Sequence, residues 1–137
     1  MLGKPMEDSP SPLGRWLDGT LEKLEHGRLQ ARYRVRAEMT NPYGTLHGGA
    51  ISAMMDDLIG ATIHTMDLGA NYSTVSMHVD FLSWASAEND VVVRTEVLRQ
   101  GRRIVHATAE LEQEGRIVAR GSASLLRVGV PLNGKDG

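Results

Sequence analysis

Ala50-Ile-Ser-Ala-Met-Met-Asp-Asp-Leu-Ile-Gly-Ala-Thr-Ile-His-Thr-Met66 is the stretch that decides the fold. Ile51, Met54, Met55, Leu58, Ile59, Thr62, Ile63 and Met66 recur at helical spacing, which predicts a helix over 50–66. The opposite side holds Ala50, Ala53, Gly60 and Ala61, all small, so the helix is expected to be buried on both sides. The flanking sequence has a different period. From Arg28 to Met39 the odd positions are Leu29, Ala31, Tyr33, Val35, Ala37 and Met39. The even positions are Arg28, Gln30, Arg32, Arg34, Arg36 and Glu38. That alternation predicts one half-buried antiparallel strand over 28–39. Four strand-like runs follow the helix, over 73–82, 90–99, 103–113 and 116–128, and no second long helix. Gln100-Gly101 and Glu114-Gly115 read as hairpin turns between them.

The order is strand, long helix, then four strands, an α+β arrangement of one antiparallel sheet and one buried helix. The helix separates the first strand from the second, so it must cross the sheet and lie along its concave face. Upstream, residues 1–10 contain Pro and Ser and read as frayed. Ser11-Pro12 reads as an N-cap and first helical residue. Leu13, Trp16 and Leu17 form one stripe, Gly19 ends it, and Leu21 to Leu24 is a second short amphipathic piece. The expected organisation is an N-terminal segment over 1–27, one domain over 28–128 and a loose polar tail over 129–137.

Composition narrows the function. The chain has 137 residues, enough for one core, with 41% hydrophobic and 23% charged residues. It holds no cysteine, which excludes disulfides, thiolate metal sites and a Cys nucleophile. With no apolar leader in residues 1–12 and no membrane-length apolar run, the expected location is cytoplasmic. A net charge of −2 offers no basic excess for a phosphate backbone, so nucleic acid is not the expected partner. Only Lys4, Lys23 and Lys135 are lysines; the other basic residues are arginines, which suit fixed ion pairs and phosphate groups.

The chemistry concentrates between Asn41 and Asp57. His47-Gly48-Gly49 stands at the helix entrance, where free N–H groups favour a negative oxygen. It reads either as an oxyanion hole beside a His donor or as a glycine turn into the helix. Asp56 lies mid-helix at the edge of the Ile51/Met55/Ile59 stripe, and Asp57 turns further toward the small side. Each is a candidate carboxylate or a solvated helix residue. Asn41 is a candidate site residue or a turn starter before Pro42. Nine residues separate His47 from Asp56, roughly 13 Å of helical rise. One reacting atom cannot meet both from one chain, so their cooperation requires a two-fold dimer. His26, His64, His78 and His106 show no H-x-H or H-E-x-x-H spacing, which argues against a metal site.

Asn41-x-x-Gly-x-x-His47-Gly48-Gly49, then six residues, then Asp56, resembles the signature of hotdog-fold acyl-CoA thioesterases, in particular the phenylacetic-acid-degradation (PaaI-like) branch. The resemblance runs from about Arg28 to Val128 in motif and element order. Val79-Asp80-Phe81-Leu82 and Leu98-Arg99-Gln100-Gly101-Arg102 resemble further blocks of that family. It implies a hotdog fold and an acyl-CoA substrate, with no cofactor. By that resemblance Asp56 attacks the thioester carbonyl or activates water, and the Gly48 N–H holds the oxyanion. His47 bonds the thioester or leaving thiolate side, Gly49 lies against substrate, Asn41 helps place substrate or water, and Thr74 supplies a hydroxyl found in one branch. Dimers pairing into tetramers are also implied.

The family often reads Phe-Leu-Arg-Pro where this chain has Phe81-Leu82-Ser83-Trp84, which makes Trp84 a candidate pocket wall. Arg102 and Arg103, with Arg99, are candidates for the CoA phosphates or are ordinary solvated hairpin charges. A hotdog dehydratase or hydratase and a non-catalytic acyl-CoA-binding domain are the competing readings, since the fold hosts both.

Overall fold

The computed structural model describes residues 11–129. The expectations for residues 1–10 and for the tail beyond Gly129 lie outside these residues. Six antiparallel strands form one sheet: β1 (Thr20–Glu25), β2 (Arg28–Tyr33), β3 (Tyr72–Phe81), β4 (Val91–Gln100), β5 (Ile104–Gln113) and β6 (Arg116–Arg127). Their order across the sheet is β1-β2-β4-β5-β6-β3. A short helix α1 (Pro12–Leu17) precedes them, and the long helix α2 (Gly48–Thr65) lies between β2 and β3. This is the hotdog arrangement.

The apolar face of α2 explains the layering. Met54, Met55, Leu58 and Ile59 are fully buried and share one core with Val93, Val105, Leu111 and Leu125 of the sheet. Each such side chain removed from water contributes about 1.5–3 kcal/mol. The small-residue side departs from expectation. Gly49, Gly60 and His64 are exposed and Ala53 is half-buried. Within the single chain α1 packs against α2 but leaves a strip of that side open.

Two other expectations are corrected. The strand predicted over 28–39 stops at Tyr33. Its partner gives the reason: Tyr33 pairs with Val91, the first residue of β4, so no ladder is available beyond it. The alternation continued in sequence because Val35 and Met39 still point into the core. Ala37–Met39 instead form a 3₁₀ turn. Leu21 to Leu24 belongs to edge strand β1, paired with β2. The sheet therefore begins at Thr20.

The turns follow their residues. Gln113 pairs with Arg116 across Glu114-Gly115, both at positive φ, as a two-residue hairpin demands. Between β4 and β5, the Gly101 N–H donates to the Ile104 carbonyl at 2.8 Å. Arginines organise the outer face. Arg28 pairs with Glu96, Arg32 with Glu22, Arg94 with Glu112 and Arg120 with Glu110. At the other end, Arg36 donates to the Trp16 and Leu17 carbonyls and stacks 4.7 Å over the Trp16 ring. It thereby anchors the end of α1 to the segment after β2.

Gly19 is required by Tyr33. A Cβ there would lie 2.5 Å from Tyr33 Cε2, and that ring is only 1% exposed. Gly19→Ala is expected to lower the unfolding free energy by about 1–3 kcal/mol, as overpacked cores do. Urea titration measures it; an unchanged midpoint would contradict this packing.

Candidate active site

The approach to α2 is tied down by backbone and by Asn41. Asn41 Oδ1 accepts the N–H groups of Tyr43 (2.9 Å) and Thr45 (3.1 Å), and Nδ2 donates to Thr45 Oγ1 at 2.8 Å. Gly44, at φ 80°, donates back to the Asn41 carbonyl at 3.0 Å. Asn41 therefore shapes the loop, and one Nδ2 hydrogen remains for another acceptor. The loop is pinned where Leu46 N–H meets the Ala85 carbonyl (2.9 Å) and His47 N–H meets the Met39 carbonyl (2.8 Å).

His47 is the N-cap of α2, in extended backbone conformation. Its Nδ1 accepts the Gly49 N–H at 2.7 Å. A neutral imidazole accepting at Nδ1 carries its hydrogen on Nε2, so the exposed ring presents an N–H donor. Gly49 leaves room for this cap, since a Cβ there would lie 3.0 Å from Nδ1, closer than ordinary van der Waals contact. The Gly48 N–H has no acceptor among the described residues. The Phe81 ring lies over Gly48, with Cε1 and Cζ each 3.3 Å from where a Cβ would be. Phe81 was not singled out for this contact by the sequence, since it lies on β3, distant along the chain.

Asp56 lies two and a half turns later, half-buried at the sheet side of α2. Its Oδ1 accepts a 2.7 Å hydrogen bond from Thr74 Oγ1 on β3. The structure thus brings Asp56 and Thr74 together. It leaves His47 and Gly48 at the start of the same helix, two and a half turns from Asp56. Asp57 faces elsewhere, toward α1 and β2. Burial pushes its carboxyl above the usual range, Ser11 opposes this by hydrogen bonding, and the Asp56 charge adds to it. Burial also raises the Tyr33 phenol, with the Asp57 charge adding to the effect. The Tyr33 hydroxyl is buried without a partner among the described residues.

Arg102 and Arg103 occupy the β4–β5 turn and are exposed, as is Arg99 on β4. Arg127 joins them: its N–H donates to the Arg103 carbonyl at 2.8 Å. Arg127 was legible only through strand register. None of these four arginines forms an ion pair among the described residues, unlike those of the outer face. Trp84 is 64% exposed and stacks with Arg116 at 5.2 Å. His78 and His106 are on the outer face, bonded to Asp80 and Ser124 respectively, each at 3.0 Å. No group of three or more metal-ligating side chains occurs among the described residues. No helix among them is long and apolar enough to cross a membrane.

Helix α2 therefore carries two features of note, a carboxylate bonded to Thr74 and, at its start, a Gly48 N–H with no acceptor among the described residues. The family described as Acyl-CoA thioesterase N-terminal domain matches residues 35–126, and the chain belongs to this acyl-CoA thioesterase family. Human acyl-coenzyme A thioesterase 13 is 29% identical over 104 residues, 74% of each chain. A phenylacetic acid degradation-related protein from Ralstonia eutropha is 31% identical, with a TM-score of 0.77 over 87% of this chain and 92% of that one. The E. coli PaaI protein has the same fold, with a TM-score of 0.82 at 18% identity, covering 90% and 88% of the two chains.

The raised Asp57 carboxyl has a consequence for stability. A folded-state pKa above the unfolded value stabilises fully below the unfolded pKa and is lost as pH rises through the folded one. Stability should therefore decline across that window, upward from the ordinary carboxylate value. Asp57→Asn is expected to flatten this decline in thermal melts between pH 3 and 7. Parallel curves for variant and wild type would contradict the burial of the charge.

Proposed function

We propose that this chain hydrolyses acyl-CoA to free acid and CoA at a site completed by a second copy of itself. One observation carries the reading: the two half-sites lie at opposite ends of one edge strand. Thr74, bonded to Asp56, is near the start of β3, and Phe81, over Gly48, is its last residue. They stand roughly 23 Å apart along an extended strand. An antiparallel pairing of β3 with its copy, with a two-fold near Met77 and His78, brings each half-site against the other. β3 has an unpaired edge and exposes Val75 and Phe81, with Leu82 just beyond its end. Long edges of this kind are usually covered. Such dimers can pair again into tetramers.

In the completed site the thioester carbonyl lies between Asp56 of one subunit and the Gly48 N–H of the other. Asp56 acts either as nucleophile or as base toward a water, with Thr74 fixing its orientation. Attack forms a bond to the carbonyl carbon, and negative charge moves to its oxygen, held by the Gly48 N–H. The carbon–sulfur bond then breaks and the CoA thiolate leaves, with His47 Nε2–H positioned to bond it. Water supplies the oxygen of the acid product. Asn41 positions the loop that carries His47, and Gly49 serves through its bond to that ring. Arg102, Arg103 and Arg127 form an unpaired cationic group suited to the CoA phosphates. A Streptococcus pneumoniae thioesterase of the same fold has been crystallised with coenzyme A. A cytoplasmic location fits an acyl-CoA substrate.

Thiol release from an acyl-CoA panel tests the activity. Release of free CoA supports hydrolysis; changed acyl unsaturation without release would mark a dehydratase or hydratase, and tight binding without turnover a binding module. Asp56→Asn is expected to reduce kcat by about 10²–10⁴-fold, the usual worth of a general base, with Asp57→Asn costing far less. Mixing inactive Asp56→Asn and His47→Ala chains should restore about a quarter of wild-type activity, since half the dimers are mixed and hold one intact site. No recovery after subunit exchange would contradict the shared site.

The arginine assignment has its own measurement. Arg102→Ala, Arg103→Ala and Arg127→Ala should each raise KM for acyl-CoA more than for a thioester lacking the nucleotide. Equal effects on both substrates would remove them from phosphate binding.

A further inference from the structure

Gln113, the last residue of β5, is 3% exposed. Thr62, Thr95 and Gln113 are the buried polar residues among the described ones. The two threonines bond each other across the core. Gln113 turns its amide on backbone instead. Its Oε1 accepts the Ser86 N–H at 2.8 Å, and its Nε2 donates to the carbonyls of Ser86 (2.9 Å) and Asn89 (3.0 Å). Only one orientation of the amide serves one N–H and two carbonyls, and it uses both Nε2 hydrogens. A buried amide is costly unless it is bonded. Here every bond goes to one irregular segment.

That segment, residues 82–89, joins β3 to β4 and fixes the approach to α2. Its first half is held by the β5–β6 hairpin. The register shifts between Leu111 and Glu112, leaving Val118 without a partner in the ladder. The Val118 carbonyl accepts the N–H groups of Leu82 (2.8 Å) and Ser83 (3.1 Å) instead. Arg116 adds bonds to Ser83 Oγ at 2.8 Å and to the Trp84 carbonyl at 2.7 Å. Gln113 holds the second half. Its amide meets both the N–H and the carbonyl of Ser86, as a neighbouring strand would. Ser86 in turn bridges Thr45. One residue earlier, the buried Ala85 gives its carbonyl to the Leu46 N–H at 2.9 Å. His47 follows directly, with the cap that leaves the Gly48 N–H facing outward. The Gln113 amide and the imidazole cap are thus joined by one short run of hydrogen bonds.

We propose that Gln113 is a positioning residue that sets the His47 cap and the Gly48 N–H through segment 82–89. Its effect on catalysis rests on the thioesterase reading above. Being buried, Gln113 does not itself meet substrate. It acts because an oxyanion donor helps only when fixed where charge develops, and a displacement of about 1 Å costs about 10²-fold in rate. The Asp56–Thr74 pair is fixed by α2 and β3 and does not draw on these bonds.

The test compares wild type with Gln113→Leu and Gln113→Glu. Leu removes all three bonds at similar size. Glu keeps an acceptor for Ser86 and sets a carboxyl against two carbonyls. Thiol release gives kcat and KM, and amide hydrogen exchange compares Leu46 and His47 with Val93 and Val105 of the core. In Gln113→Leu, kcat is expected to fall at least about tenfold with KM within about twofold, as when a transition-state interaction is lost. Exchange at Leu46 and His47 should quicken at least about tenfold more than at Val93 and Val105, the mark of local rather than global opening. Equal acceleration at all four amides, or wild-type exchange at Leu46 and His47, overturns the proposal, since Gln113 would then serve stability alone. So does a kcat within twofold of wild type. Should Gln113→Leu not fold, the same two readings on Gln113→Glu support or overturn it. Wild type releasing no thiol would overturn the thioesterase reading instead, and the exchange rates would then decide the positioning by themselves.

Discussion

The hydrogen bond from the Gly49 N–H to His47 Nδ1 is the contact on which the site depends. Capping decides where a helix begins, because the first N–H groups have no intrahelical partner. Here the cap is an imidazole. It takes up the Gly49 N–H and leaves that of Gly48 facing outward. The same bond fixes which imidazole nitrogen carries hydrogen. Helix start, the outward-facing Gly48 N–H and the imidazole tautomer are thus one event. Asp56 follows at a distance set by helical rise alone.

Support for that cap comes from elements distant in sequence. Met39 and Ala85 accept the N–H groups of His47 and Leu46, which holds the loop against the 3₁₀ turn on one side and the segment before β4 on the other. Asn41 closes the loop internally. The carboxylate end is built separately, from α2 and β3. A strand at the rim of the sheet reaches both ends, and its residues alternate between the core and the outer face. Met77 and Val79 pack inward, while Ser76, His78 and Asp80 face outward.

Much of this was legible in the sequence because periodicity reports burial. The helix over 50–66 appears as Gly48–Thr65, and the four later strands fall within two residues of their expected ends. The motif residues lie on that helix and on the loop that leads into it. What was not legible depends on partners. The strand from Arg28 ends where β4 gives out, although alternation continues to Met39. Thr20–Glu25 lacks a clear apolar alternation because it is an edge strand, with little beyond Leu21 to bury. Phe81 over Gly48 and Arg127 beside Arg103 are products of strand register, which no local spacing announces. The two roles open for Asn41 were not separable either. Its loop bonds appear only once Thr45 and Tyr43 are in place.

The two glycines after His47 differ in what surrounds them. Gly48 faces the Phe81 ring, which belongs to a different element of the fold. Gly49 faces the capping imidazole itself, so any added side chain would have to be accommodated by the ring that makes the cap. Lineages descending from this sequence would therefore drift at the two positions by different routes. A change at the first could be rescued by a smaller residue at position 81, so the pair can wander together through neutral intermediates. A change at the second has no such companion, and selection would have to hold it for as long as histidine remains the cap.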